Sequence, residues 1–281
     1  MTLRQWTVDA FASEPFMGNQ AAVLAPLDAW PTDGWMQRLA QENNLSETAY
    51  LVRDPANPAR FGIRWFTPAI EAPFCGHATL AAAHVLFTEL GASADEIVFD
   101  TRFKGEFSVR RDGDAYRLDS PADPPRRIET PPGLEQALGV APVETWAAQY
   151  LLVIVADAAA VRAITPDPSA LAGFGVEASD GPGNVIVAAL ADPASGVDVV
   201  SRFFAPGSGI AEDAATGSAH TVLGPLFAQK LGRSDLRFHQ AFPGRGANIS
   251  VSMQGDRAIL GGRAVTVMET ILRLAPGCAE P

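Results

Sequence analysis

EAPFCGHA at residues 71–78 and EDAATGSA at residues 212–219 are two versions of one signature. In each, a glutamate (Glu71, Glu212) stands five residues before a glycine (Gly76, Gly217), and a polar residue and an alanine follow. Upstream, Phe66-Thr67-Pro68 is echoed by Phe204-Ala205-Pro206. The phenylalanines lie 138 residues apart and the glutamates 141, so a three-residue insertion reconciles the copies. Such a period is too long for a solenoid unit of about 20–50 residues and suits a domain of about 50–250 residues. The sequence therefore predicts two related domains.

After each glycine comes a run that reads as a helix, HATLAAAHVLFTEL at 77–90 and SAHTVLGPLFAQKL at 218–231. The first turn of a helix carries backbone N–H groups without internal partners and the positive end of the macrodipole. A carboxylate can settle there, and glycine lets it approach the backbone closely. A single such motif is as readily the end of a loop; a matched pair, brought face to face across a cleft by pseudo-symmetry, suits a small acidic substrate. The first run is apolar almost all round (Leu80, Ala81, Ala82, Ala83, Val85, Leu86, Phe87). It should be buried on every side, as inside a strongly curved sheet. Pro225 should kink the second run or shorten its regular part.

Around the two runs, short β-branched and aromatic segments separated by turn signals read as strands. They are QWTVDAF, AAVLAPL, TAYLVRD, FGIRWFT, EIVFDT, GEFSVRRDG and AYRLDSP in the first half. In the second they are YLLVIVA, GNVIVAAL, VDVVSRFFA, NISVSM, RAILGG and AVTVMETILRL. A helix is predicted near 31–43, and the Pro-rich stretch 120–133 reads as the linker.

The 281 residues are 47% hydrophobic and 19% charged, enough to build one or two cores. A net charge of −11 argues against nucleic acid, which needs a basic face. It does not bar an anionic substrate, because donors within a cleft outweigh a distant screened charge. No stretch of 18 uncharged apolar residues and no secretory leader is evident, so no membrane partner and a cytoplasmic location are expected. Cys75 and Cys278 are too few for a disulfide scaffold or a cysteine zinc site.

The ionisable groups near the signatures are Glu71, His77, His84, Glu212, Asp213 and His220, and Glu47 of NNLSETAYLV stands where the chain turns apolar. A carboxyl at such an edge is a candidate general acid/base. His77 follows the glycine at the proposed anion site, whereas His84, about two turns on, reads as core. Cys75 beside His77 suggests a thiolate nucleophile or half of a two-thiol racemase, but Thr216 occupies the matching position. GPGNVIV at 181–187 leads into a strand, whereas a dinucleotide fingerprint must open a helix.

Five blocks in order, VDAFASEPFMGNQAAVL (8–24), NLSETAYLV (44–52), RWFTPAIEAPFCGHATLAAAHVL (64–86), GIAEDAATGSAH (209–220) and GDRAILGGRAVTV (255–267), resemble the phenazine-biosynthesis PhzF-like proteins, relatives of diaminopimelate epimerase. The resemblance implies an α/β (α+β) fold of diaminopimelate epimerase type, duplicated, with two pseudo-symmetric β-barrel-like domains each curled around a central helix. Domains of 1–125 and 126–261 are expected, the first completed by a C-terminal strand at 262–275, with the active site in the cleft between them. Carried over by motif, Glu47 of SET is the general acid/base, and His77 of CGH and Asp213 of GIAED are its polar partners. Ser218, with the N–H groups of Gly217 and Ser218, anchors the carboxylate, while Asn19 and Gly76 are further contacts. The activity implied is a cofactor-independent isomerisation of a small carboxylate, without metal, by a homodimer. The alternatives are a racemase or epimerase of a small amino or hydroxy acid, and a non-catalytic carboxylate-binding protein.

Overall fold

A computed structural model describes residues 2–179 and 181–273. The chain divides into two compact units, Met1–Asp119 with Gly261–Pro281, and Ser120–Leu260.

In the first unit the strand Ala264–Arg273 runs antiparallel to Thr2–Ala10, which pairs antiparallel with Asn19–Leu24. From there the sheet continues parallel to Glu47–Arg53, antiparallel to Arg60–Phe66, parallel to Glu96–Thr101 and antiparallel to Gly105–Asp112. Residues 274 and 275 of the expected closing strand lie outside the described residues. The helix Gly76–His84 has all nine residues buried, and it packs against the strands Thr2–Ala10, Asn19–Leu24, Glu47–Arg53, Gly105–Asp112 and Ala264–Arg273. Strands surround it because it offers no polar face to water. The predicted single helix over 77–90 is instead α-helical to His84 and a π-helical turn over Val85–Glu89. A satellite cluster of Leu3, Leu24, Trp35, Met36, Tyr50 and Phe66 seats the helix Asp33–Asn43, which Thr32 caps through Trp35 N.

The second unit repeats the order of strand senses. Glu144–Ala147 is antiparallel to Leu151–Ile154, which is parallel to Val185–Leu190; that strand is antiparallel to Val199–Phe204, which is parallel to Asp235–Gln240, itself antiparallel to Ala247–Gln254. Its core gathers Leu134, Leu151, Val153, Val161, Leu171, Val185, Val187 and Phe204. The stretch read as a linker carries a strand, Arg126–Ile128, paired with Glu144–Ala147.

The second signature helix runs unbroken from Gly217 to Leu231 with Pro225 inside it, contrary to the expected shortening. Proline removes the N–H that would satisfy the carbonyl four residues back. That carbonyl belongs to Thr221, and it accepts from the backbone N–H of Asp123 at 3.0 Å. The orphaned acceptor thus finds a partner off the helix, and the helix continues.

Candidate active site

In both copies the signature begins as a hairpin, short in the first and longer in the second, where the turn Pro206–Ser208 lies within the loop. Phe66 pairs with Glu71 and Phe204 with Glu212, so each glutamate folds back beside the strand that leads into it. There it meets an arginine two residues before the phenylalanine: Arg64 holds Glu71 through two bonds of 2.7 Å, and Arg202 holds Glu212 through two of 2.7 Å. Fork-to-carboxylate pairing fixes direction as well as distance. Glu71 and Glu212, candidates from their place in the signature, are therefore struts that aim the following helix start. The sequence held the signal, since Arg64 and Arg202 are 138 residues apart like the phenylalanines.

Beyond the first strut, four side chains from three elements converge. Glu47 opens the strand Glu47–Arg53, Cys75 is the N-cap of the helix, His77 lies in its first turn and Asn19 opens the strand Asn19–Leu24. His77 Nε2 lies 3.0 Å from Glu47 Oε2, with the imidazole 5% and the carboxylate 16% exposed. Asn19 Nδ2 lies 3.2 Å from His77 Nδ1, and Ser46 Oγ donates to Asn19 Oδ1 at 3.0 Å. The neutral ring with its proton on Nε2 accepts from the Asn19 amide nitrogen at Nδ1, whereas the imidazolium donates from both nitrogens and takes the Asn19 amide oxygen at Nδ1. Asn19 is placed by Gly18, whose φ of 63° suits glycine and whose missing Cβ would stand 2.1 Å from the Ala10 carbonyl oxygen.

Burial draws the His77 ring toward its neutral form, but the Cys75 sulfur and the Glu47 carboxylate outweigh it and hold the ring well above its ordinary value. Burial pushes the Cys75 thiol up to about 11, with the Glu47 charge adding to the rise. The thiol is therefore protonated at neutral pH, which tells against a resting thiolate nucleophile. It also makes Glu47 the charge that favours imidazolium. Donor atoms of Glu47, Cys75 and His77 all lie within 4.8 Å of one another, the one grouping of this kind among the described residues. His84 is core, as expected: Nδ1 meets the Tyr116 hydroxyl and Nε2 the Thr266 hydroxyl, each at 2.9 Å.

The second copy is built from hydroxyls and amides. Thr216 takes the N-cap position of Cys75, and its hydroxyl donates to Asp213 Oδ2 at 2.5 Å. Gln240 accepts from Thr216 N at 2.9 Å and donates to the Asp213 carbonyl at 2.7 Å, tying the strand end to the helix start. Ser218 occupies the place of His77, and its hydroxyl lies 2.9 Å from the Tyr150 hydroxyl. His220 is buried with Nδ1 on the Thr216 carbonyl at 2.8 Å.

The seven residues singled out from sequence thus form two clusters: Asn19, Glu47, Gly76 and His77 in the first unit, and Asp213, Gly217 and Ser218 in the second. Sequence reasoning missed Ser46, Tyr150 and Gln240, which contact the site residues from outside the signatures.

A family model described as "Phenazine biosynthesis-like protein" matches residues 8–125 and 126–270. Two uncharacterized isomerases of Pseudomonas aeruginosa are each 42% identical to the chain, covering 98% of it and 100% of their own length. A bovine phenazine biosynthesis-like domain-containing protein is 34% identical over 97% of the chain and 99% of its own. Among solved structures, a PhzF-family protein of Enterococcus faecalis superposes with a TM-score of 0.89 at 38% identity, covering 98% of this chain and 100% of that one. A hydroxyproline epimerase of Agrobacterium vitis shares the fold, with a TM-score of 0.60 at 14% identity over 99% of this chain and 94% of that one. On the family match and these near-complete relatives, the chain belongs to the PhzC-PhzF family of phenazine biosynthesis-like proteins.

Proposed function

We propose that this protein is an isomerase that moves a proton, and with it a double bond, within a small carboxylate substrate, with Glu47 as the general acid/base and no cofactor. The observation that carries the reading is the 3.0 Å contact between Glu47 Oε2 and His77 Nε2 in a largely buried setting. The family supports it, since relatives bear the name isomerase.

In the proposed step Glu47 takes a proton from carbon as the C–H bond breaks. The released pair becomes a new C=C bond, and the old C=C pair takes the proton back at a second carbon. Nothing is gained or lost, so no redox partner or nucleotide is required. His77, held toward its protonated form 3.0 Å from Glu47, steadies the charge of the carboxylate between the two transfers. The helix starting at Gly217, with the Ser218 hydroxyl, offers donors to the substrate carboxylate, and Asn19, Gly76 and Asp213 orient the rest.

The asymmetry of the two clusters favours one acid/base over two. An epimerase normally needs bases on opposite faces, and Asp213 is instead engaged by the Thr216 hydroxyl.

The decisive experiment follows deuterium uptake from heavy water by NMR across a panel of unsaturated, amino and hydroxy carboxylates. Glu47→Gln keeps the size and loses the base, so exchange and turnover should drop about 10²–10⁴-fold. Turnover preserved in the variant would remove Glu47 from the chemistry. Tight carboxylate binding by the native protein without exchange would make it a binder.

A further inference from the structure

We propose that Glu47 Oε2, Cys75 Sγ and His77 Nε2 form a three-ligand site for a thiophilic divalent cation, Zn²⁺ foremost, and that an ion seated there arrests proton transfer. The inference names a regulation of the site proposed above, and its test does not depend on turnover.

Tetrahedral zinc, with bonds of about 2.3 Å to sulfur and 2.0–2.2 Å to nitrogen and oxygen, sets edges of roughly 3.5 Å between sulfur and nitrogen and 3.3 Å between nitrogen and oxygen. Here Cys75 Sγ is 3.9 Å from His77 Nε2, and His77 Nε2 is 3.0 Å from Glu47 Oε2. These two edges need adjustments of a few tenths of an ångström; the third, between Cys75 Sγ and Glu47 Oε2, lies within 4.8 Å against roughly 3.5 Å in the complex, so a rotation of the Cys75 or Glu47 side chain that carries its ligand atom by up to about 1 Å closes the site. The three ligands sit on rigid elements, a strand start, a helix N-cap and a first helical turn. Independently, Glu47 Oε2 is buried and has no aligned hydrogen-bond donor despite its close contact with the ring. An oxygen left in that state is suited to a cation.

The support around the ligands fits as well. A metal on Nε2 requires the ring proton on Nδ1, and a metal-bound histidine usually donates that proton to a carbonyl or carboxylate. Asn19 faces Nδ1, and a half-turn of its amide presents Oδ1 there while Nδ2 turns to the Ser46 hydroxyl, which can accept as readily as donate. On binding, the Cys75 thiol and His77 Nε2 each give a proton to solvent, leaving a thiolate and a ring that carries its proton on Nδ1, because a coordinating dication deprotonates a thiol outright and needs the Nε2 lone pair. No electron moves, and the fourth position stays open to water or a substrate oxygen. With its carboxylate bound to the ion, Glu47 has no free lone pair on Oε2 for a C–H proton.

The test is titration of the metal-free protein with Co²⁺, read by the near-ultraviolet thiolate-to-cobalt charge-transfer band and the visible bands of tetrahedral cobalt, followed by displacement with Zn²⁺. One ion per chain and a thiolate band are expected. Cys75→Ser should abolish the band, Cys278→Ser should retain it, and Asn19→Leu should weaken affinity about 10–100-fold. Circular dichroism melts would certify each variant as folded. Absence of the band in the native protein, or its survival in folded Cys75→Ser, overturns the site. Either result leaves the Glu47→Gln exchange experiment to judge the isomerase reading separately.

Discussion

The two copies of the signature keep one set of contacts and exchange another. Both keep the arginine–glutamate strut, the hairpin and the glycine that opens a buried helix. At the N-cap the first copy has Cys75 and the second Thr216; two residues on, the first has His77 and the second Ser218. The first helix start therefore brings a carboxylate and an imidazole together, Glu47 and His77, whereas in the second the carboxylate of Asp213 is met by hydroxyls and amides and no imidazole takes the place of His77. Duplication supplied the scaffold twice, and the copies diverge at these two positions. On the reading proposed above, that divergence assigns proton transfer to the first copy and carboxylate anchoring to the second.

If the struts are equivalent scaffold, cutting either should cost stability in proportion to what else its arginine holds. Arg64 and Arg202 are 9% and 7% exposed, and removing one partner of a buried pair costs about 3–5 kcal/mol. Arg202→Leu should lie at the upper end. Arg202 also donates to the Ile164 carbonyl at 2.5 Å, just past the helix Ala158–Ala163, and among the described residues Glu212 pairs with no other cation. Arg64→Leu should cost less: it also releases Asp33, but that carboxylate is 64% exposed, and Arg102 remains 2.9 Å from Glu71 and 3.4 Å from Asp33. Urea unfolding of the two variants decides; equal losses would mean that the auxiliary contacts contribute nothing.

Acid sharpens the contrast next. Burial pushes His220 down to about 4 from 6.5, and in the first copy it does the same to His84. His220 Nε2 has no partner, so a second ring proton there would be stranded. A histidine whose folded value is depressed binds fewer protons folded than unfolded, so its contribution is complete above about 6.5 and is lost as the pH falls toward 4. The full loss is about 3 kcal/mol for His220. His77 has the opposite sign: raised by its neighbours, it favours the folded state below about 6.5 and loses that contribution as pH climbs through its raised value. His220→Leu should flatten the pH dependence of unfolding between 6.5 and 4, whereas His77→Leu should leave that window unchanged and remove the loss of stability seen as pH climbs above about 6.5. Effects of the two variants in one and the same pH window would break the distinction.

Much of this was legible in the sequence, and what was not has a physical reason. The repeat showed because it depends on local glycine, proline and aromatic spacing, and the buried first helix because its residues are apolar on every side. Glu47, His77 and Asn19 meet in one cluster, yet their separation along the chain carried no sign of it apart from the family resemblance. That Pro225 leaves the length of its helix intact could not be read from the sequence, because the partner for the freed Thr221 carbonyl comes from Asp123, nearly a hundred residues earlier. The strand Arg126–Ile128 hid among prolines, where composition speaks for a linker and only pairing with a later segment makes a strand. Tyr150 and Gln240 lay outside any motif; each acts on the site by tertiary contact alone.

Tyr150 gives the finest test of the difference between the copies. At the position where the first copy has an imidazole facing a carboxylate, the second has the Ser218 hydroxyl 2.9 Å from the Tyr150 hydroxyl. The Tyr150 ring is fixed edge-on against Phe203, with centroids 4.9 Å apart, so its hydroxyl is held in place beside Ser218. When Tyr150 donates to Ser218, the serine proton is free to point at a substrate carboxylate, and the chain of two hydroxyls polarises toward that charge. Tyr150→Phe removes this bond and leaves the ring packing, a loss of about 0.5–1.5 kcal/mol. If the second copy only anchors, the loss should appear as a KM raised about 2- to 12-fold with kcat unchanged, since it weakens ground state and transition state alike. A fall in kcat at constant KM would place Ser218 among the groups that act on the developing charge, and the division of labour between the two copies would have to be redrawn.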